Sequence, residues 1–156
     1  MAAKANAHAA AESHELVLTR VFDARRELVF KAWTEREYLM QWSAPHGFTV
    51  TESDGDIRPG GRYRAAMRSP EGNDYRLGGV YKEIVAPERL VFTHAWEDDK
   101  GKLGHATEVT VTLEDLGGRT KMTFRQTGFE TASSRDSHQG GWSETFEKLA
   151  TLVEKK

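Results

Sequence analysis

Histidine is the side chain best suited to moving a proton near neutral pH, and this chain has six of them. His8 and His14 stand in or beside an Ala-rich N-terminus. His46, His94, His105 and His138 form no short-spaced ligand pair and no HExxH, so no metal site is expected. Cysteine is absent, which excludes disulfides, thiol nucleophiles and Cys-rich zinc sites. There is no GxSxG elbow, no GxxxxGK[ST] phosphate loop and no GxGxxG, and no cofactor is implied. What remains for chemistry is His138 and His94. If a C-terminal helix runs back through Gly140-Gly141, His138 lies one turn before Trp142 on its inward stripe. There an imidazole could act as a general base or orient a ligand carbonyl. The plainer reading has His138 capping or packing near the helix start, and the sequence demands no catalytic residue.

The elements that must position these side chains follow from periodicity. Glu15 to Phe22 alternates as a first strand. Asp23 is suited to cap a short helix carrying Val29 and Trp33 on one face, and Thr34-Glu35-Arg36-Glu37 has the capping-box pattern for a second, through Tyr38, Leu39 and Trp42. The period then becomes two, predicting strands at Phe48–Asp54, Arg62–Arg68, Asp74–Val85, Arg89–Trp96, His105–Glu114 and Arg119–Thr127. The tight connections, Gly117-Gly118 above all, make consecutive strands antiparallel. Trp142, Phe146, Leu149 and Val153 return to helical spacing, with Glu144, Glu147, Lys148 and Lys155 off that stripe toward solvent.

Strand parity sorts the side chains into two faces. Tyr63, Ala65 and Met67 face the helix, as do Tyr75, Leu77, Gly79 and Tyr81. So do Leu90, Phe92, His94 and Trp96, and also Met122, Phe124 and Gln126. Candidate ligand contacts are Tyr63, Met67, Tyr81, Phe92, His94, Trp96, Phe124 and Gln126 from these strands, together with Trp33, Trp42, His138 and Trp142 from the helices. Tyr63, Tyr81, His94, Gln126 and His138 are the polar anchors among them. An apolar pocket with sparse polar groups suits a small hydrophobic ligand. A filled aromatic core with its polar tips bonded to backbone is the alternative, and both stay open at this level. Arg58, Arg62, Arg64 and Arg68 read as a solvated outer face.

The 156 residues fit one domain. With 22 basic against 24 acidic residues the net charge is -2, which argues against a nucleic-acid binder or a polybasic membrane surface. No apolar run approaches the roughly 18–20 residues of a membrane span. Residues 1–13 read as a frayed tail and lack the apolar stretch of a secretory signal, so a cytoplasmic location is expected.

Several stretches resemble the AHSA-type family, the activator-of-heat-shock-protein-ATPase homologues. It belongs to the START-like, or SRPBCC, superfamily with the birch pollen allergen and the polyketide cyclases. The matching words are Val29-Phe30-Lys31-Ala32-Trp33-Thr34, Asp56-Ile57-Arg58-Pro59-Gly60-Gly61-Arg62-Tyr63, Gly79-Val80-Tyr81-Lys82-Glu83-Ile84, Pro87-Glu88-Arg89-Leu90-Val91-Phe92-Thr93 and His138-Gln139-Gly140-Gly141-Trp142. The resemblance implies an α+β helix-grip fold over residues 14–156, a curved antiparallel sheet gripping a long C-terminal helix with a cavity between. It implies a small hydrophobic or amphipathic partner, lipid-, polyketide- or aromatic-like. A cyclase, dehydratase or hydrolase using a cavity histidine is the enzymatic alternative, and a heat-shock chaperone is a partner by family name alone. One departure stands at the cavity mouth, where Trp42 is followed by Ser43-Ala44-Pro45 rather than by a second Trp and a Gly.

Overall fold

A computed structural model describes residues 14–154. The chain runs β1 (Leu16–Phe22), α1 (Arg26–Thr34), α2 (Arg36–Trp42), β2 (Thr49–Gly55), β3 (Arg62–Arg68), β4 (Asp74–Val85), β5 (Arg89–Trp96), β6 (Thr107–Asp115), β7 (Thr120–Thr127) and α3 (Ala132–Val153). The seven strands form one antiparallel sheet in the order β1-β7-β6-β5-β4-β3-β2. This is the expected helix-grip architecture. The predicted tail, residues 1–13, and Lys155 lie outside the described residues.

Turn chemistry sets the register. Gly117 and Gly118 both take positive φ, 73° and 98°, between β6 and β7, and the Asp115 carboxylate accepts both of their N–H groups. Gly79 serves another purpose. A Cβ there would sit 2.1 Å from the Thr93 carbonyl oxygen, so only glycine lets β4 close on β5 at this point. The Thr93 hydroxyl accepts the Val80 N–H at 2.9 Å, and its carbonyl accepts the Tyr63 hydroxyl at 2.6 Å. A local break in the ladder thus holds a tyrosine on the concave face.

Both predicted caps at the first helices are corrected. The N-cap of α1 is Arg25, not Asp23, and it makes no side-chain cap bond. The Thr120 hydroxyl donates to the Ala24 carbonyl, tying this stretch to β7 so that the helix starts later. Thr34 does not cap α2 either. Its hydroxyl donates back to the Phe30 carbonyl, and Glu35 occupies the N-cap position. The working side-chain cap is Thr131, whose hydroxyl oxygen accepts the Ser134 N–H and starts α3 six residues before position 138.

Helix α3 buries Phe146, Leu149 and Val153 against the sheet, as the stripe requires. Its polar face is less free than the sequence suggested. Glu144 accepts the His46 N–H, Glu147 lies 3.1 Å from His46 Nε2, and half-buried Lys148 donates to the carbonyls of Ala44 and Phe48. These residues clamp the connection between α2 and β2 onto the helix; Glu144 and Glu147 stay exposed as expected, and Lys148 alone turns inward. No helix among the described residues is long and apolar enough to cross a membrane.

The glycine pair of α3 has a simple energetic consequence. A Cβ at position 140 would meet nothing within 4 Å. Gly140→Ala should therefore stabilise the fold by about 0.5–1 kcal/mol through helix propensity and the lost freedom of the unfolded chain. Urea denaturation of the two proteins checks it, and a destabilised variant would contradict it.

Candidate functional site

The concave sheet face and the inner side of α3 do not close on each other completely. They enclose a cavity of about 590 Å³, walled by β2 to β5, by α1 and α2, and by the first half of α3. Open space thus remains between sheet and helix, while one polar tip, the Tyr63 hydroxyl, is bonded to backbone as a filled core would have it. Trp33, Trp42, Tyr63, Met67, Tyr81 and Phe92 line the cavity, as do His94, Trp96, His138 and Trp142.

Phe124 and Gln126 do not line it. Both are fully buried on β7 behind Trp142, whose ring lies 4.6 Å from that of Phe124 and whose N–H donates to Gln126 Oε1 at 2.8 Å. Gln126 Nε2 in turn donates to the Thr107 hydroxyl, which donates to the His94 carbonyl. Gln126 is a strut holding the Trp142 wall upright.

Other lining residues escaped the parity argument. Leu39 and Phe48 flank one side, and Ser53 and Gly55 of β2 face inward beside Ile57. A register shift between Val50 and Glu52 resets the alternation of β2. That bulge leaves no signature in the sequence. Ser43, where the family motif differs, also lines the cavity, but its hydroxyl folds back onto the Leu39 carbonyl at 2.7 Å.

The polar groups are mostly engaged. The Tyr63 hydroxyl is held by Thr93, and burial pushes its pKa well above the ordinary value. Burial likewise pushes the Tyr81 phenol up to about 12, so both stay protonated. His94 is buried; that burial, then the nearby His138 imidazole, lowers its pKa to about 3, and it stays neutral. The two rings lie 5.9 Å apart.

His138 is fixed on both sides. Its Nδ1 lies 2.8 Å from the Ser134 carbonyl, which can only accept, so Nδ1 carries the proton. Its Nε2 then accepts the Trp96 N–H at 3.0 Å. His94 is thus buried and neutral, and the His138 lone pair accepts the Trp96 N–H. No group of three or more metal-binding side chains occurs among the described residues.

Trp33 stands at the centre of the aromatic wall. It meets Trp42 edge-on at 4.8 Å, and Phe92, Phe124, Trp142 and Phe146 at 6.1–6.2 Å. Trp42, Trp96 and Trp142 each donate their indole N–H to a protein acceptor. The Trp33 N–H has none.

The family model described as Activator of Hsp90 ATPase homolog 1-like protein matches residues 23–154. The chain belongs to this family. Every cavity residue from Trp33 to Thr145 falls inside the matched span. Among solved structures, a protein of Chromobacterium violaceum is 29% identical, with a TM-score of 0.83 over 91% of this chain and 98% of that one. A protein of Arthrobacter aurescens is 26% identical, with a TM-score of 0.82 over 91% and 87%. The AHSA1 protein of Silicibacter pomeroyi is 25% identical, with a TM-score of 0.81 over 89% and 96%. No curated protein sequence matches the chain.

Proposed function

We propose that this Activator of Hsp90 ATPase homolog 1-like chain binds a small hydrophobic or amphipathic molecule between its sheet and C-terminal helix. The observation that supports this is the cavity of about 590 Å³, large enough for a ligand and walled chiefly by aromatic and aliphatic side chains. Burial of apolar surface, at roughly 25 cal/mol per Å², supplies the affinity. An enzymatic role finds less support, since His94 is neutral and both nitrogens of His138 are bonded.

Native mass spectrometry of freshly purified protein, followed by a thermal-shift screen of lipids, polyketides and flavonoids, tests the reading. A ligand at a hundred times its Kd adds about 2.7 kcal/mol, equivalent to a rise in melting temperature of about 5–10 °C for a domain of this size. Ala65→Trp places an indole where half-buried Ala65 lines the cavity, and it should abolish that rise while leaving the protein folded. A ligand-induced rise that persists in the variant would put the binding site elsewhere. Silence across the screen would turn attention to a protein partner such as the heat-shock ATPase that the family's name suggests.

A further inference from the structure

We infer that the cavity takes an amphipathic monocarboxylate, its apolar body among the aromatic walls and its carboxylate on the terminal nitrogens of Arg36 at the mouth. The inference rests on the cavity-binding reading above and adds to it a charge, a named contact and a chemical class.

Arg36 is the only Lys or Arg side chain in the cavity lining among the described residues. It opens α2 and reaches across to β2, where its Nε donates to the Ser53 carbonyl at 2.9 Å. That bond fixes the guanidinium and leaves both terminal nitrogens without a hydrogen-bond partner among the described residues. Such a planar pair of N–H donors matches the two oxygens of a carboxylate better than any single acceptor. The Asp54 carboxylate stands 3.8 Å from Nε, beyond hydrogen-bond distance. The two side chains are 64% and 66% exposed, where a pairing of this kind is weak and screened. Asp54 thus tempers the attraction for an anion without filling the fork.

The other polar groups of the lining fall into two sets. The hydroxyls of Thr34, Ser43, Tyr63 and Thr145 all donate to backbone carbonyls. Those of Ser53 and Tyr81 make no hydrogen bond among the described residues, although both residues are buried. This second set lies beside Arg36. Ser53 supplies the carbonyl that holds the guanidinium, and Gly55 is the next inward position of β2. A Cβ on Gly55 would stand 3.4 Å from the Tyr81 hydroxyl oxygen. Both hydroxyls can donate to a carboxylate oxygen. His94 is buried and neutral, His138 accepts the Trp96 N–H, and Ser137 carries only a hydroxyl, so none of these offers a second cation.

Arg36, Asp54, Gly55 and Ile57 belong to the lining and are also exposed, which places an opening between α2 and the end of β2. A carboxylate held there keeps contact with water, and deeper burial of its charge would be costly. The apolar body passes inward to Trp33, Phe92 and Trp142.

The test pairs decanoate with decanamide, and 2-naphthylacetate with its amide, so that each pair shares a skeleton and differs in charge. Binding to the whole protein is followed by calorimetry at neutral pH and low salt. In every pair that binds, the acid should bind about tenfold more tightly than the amide. In Arg36→Met that ratio should fall to about onefold. Asp54→Asn should strengthen the acids about two- to threefold and leave the amides unchanged. Ala65→Trp should abolish binding of acid and amide alike, because both need the cavity. Amides that match the acids, or a ratio that survives Arg36→Met, would overturn the carboxylate role and leave cavity binding intact. Acid binding that survives Ala65→Trp would put the carboxylate on the outer surface and overturn it too. Should Arg36→Met not fold, Asp54→Asn decides, and acids no tighter there than in the parent would overturn the inference. Failure of all four compounds to bind would remove the cavity reading and this inference together.

Discussion

Replacing His94 with glutamine should flatten the acid limb of the stability curve. His94 lies buried against Trp96, His138 and Trp142, and its folded pKa falls from the ordinary 6.5 to about 3, mainly through burial. Between those values the unfolded chain binds a proton at this site that the folded chain refuses. Unfolding free energy therefore rises with pH in that window, and falls as the pH is lowered from 6.5 toward 3. Each unit is worth about 1.4 kcal/mol, so acidification from pH 6.5 to 4.5 should cost the parent protein on the order of 2–3 kcal/mol more than His94→Gln. Ion pairs such as Arg64–Glu97 are common to both proteins and cancel in the comparison. Urea titrations at the two pH values measure the difference. Parallel losses in parent and variant would mean that His94 titrates normally and is not enclosed as the structure has it.

The same residue shows how far periodicity carries. Strand parity alone put Leu90, Phe92, His94 and Trp96 on the concave face, because alternation in β5 is uninterrupted through those positions and three of the four are large apolar side chains. The stripe Phe146, Leu149 and Val153 likewise has one physical solution, burial beneath the sheet. Local polar signals were less dependable. Asp23 and Thr34 have the chemistry of caps, yet neither caps, since tertiary hydrogen bonds from Thr120 and to Phe30 decide where the helices begin and end. Lys148 sits off the apolar stripe and so reads as solvated. Two carbonyls left free by the loop after α2 draw it inward instead.

The site was legible in its members more than in their roles. Trp33, Tyr81 and Phe92 sit on elements with clear periods and reach the cavity where expected. Gln126 has the correct parity, but parity cannot tell a cavity wall from a layer behind it; only the position of Trp142 over β7 does that. The β2 residues Ser53 and Gly55 were invisible because a single inserted residue reverses the alternation, and no residue type marks the place. Whether the histidines could act depended on hydrogen-bond partners many residues away. His138 accepts the Trp96 N–H across the fold, a bond that no spacing rule announces.

Truncating Trp42 to alanine should cost about 3–5 kcal/mol, the largest loss expected of any single change discussed. Trp42 is fully buried, packs its ring against Trp33 at 4.8 Å and Phe146 at 6.4 Å, and joins three helices at one point. Its indole N–H also donates to the Ala32 carbonyl at 2.8 Å. That carbonyl lies in the last turn of α1, where no backbone N–H of the same helix is left to satisfy it. Trp42→Phe separates the two contributions. It keeps an aromatic ring but leaves a buried carbonyl unpaired, and should lose about 1–3 kcal/mol. If Trp42 were only a ligand contact at the cavity mouth, both variants would lose binding and keep their stability. Urea midpoints measured without ligand settle the question, and a loss below about 1 kcal/mol for Trp42→Ala would show that the residue is not the structural pin described here.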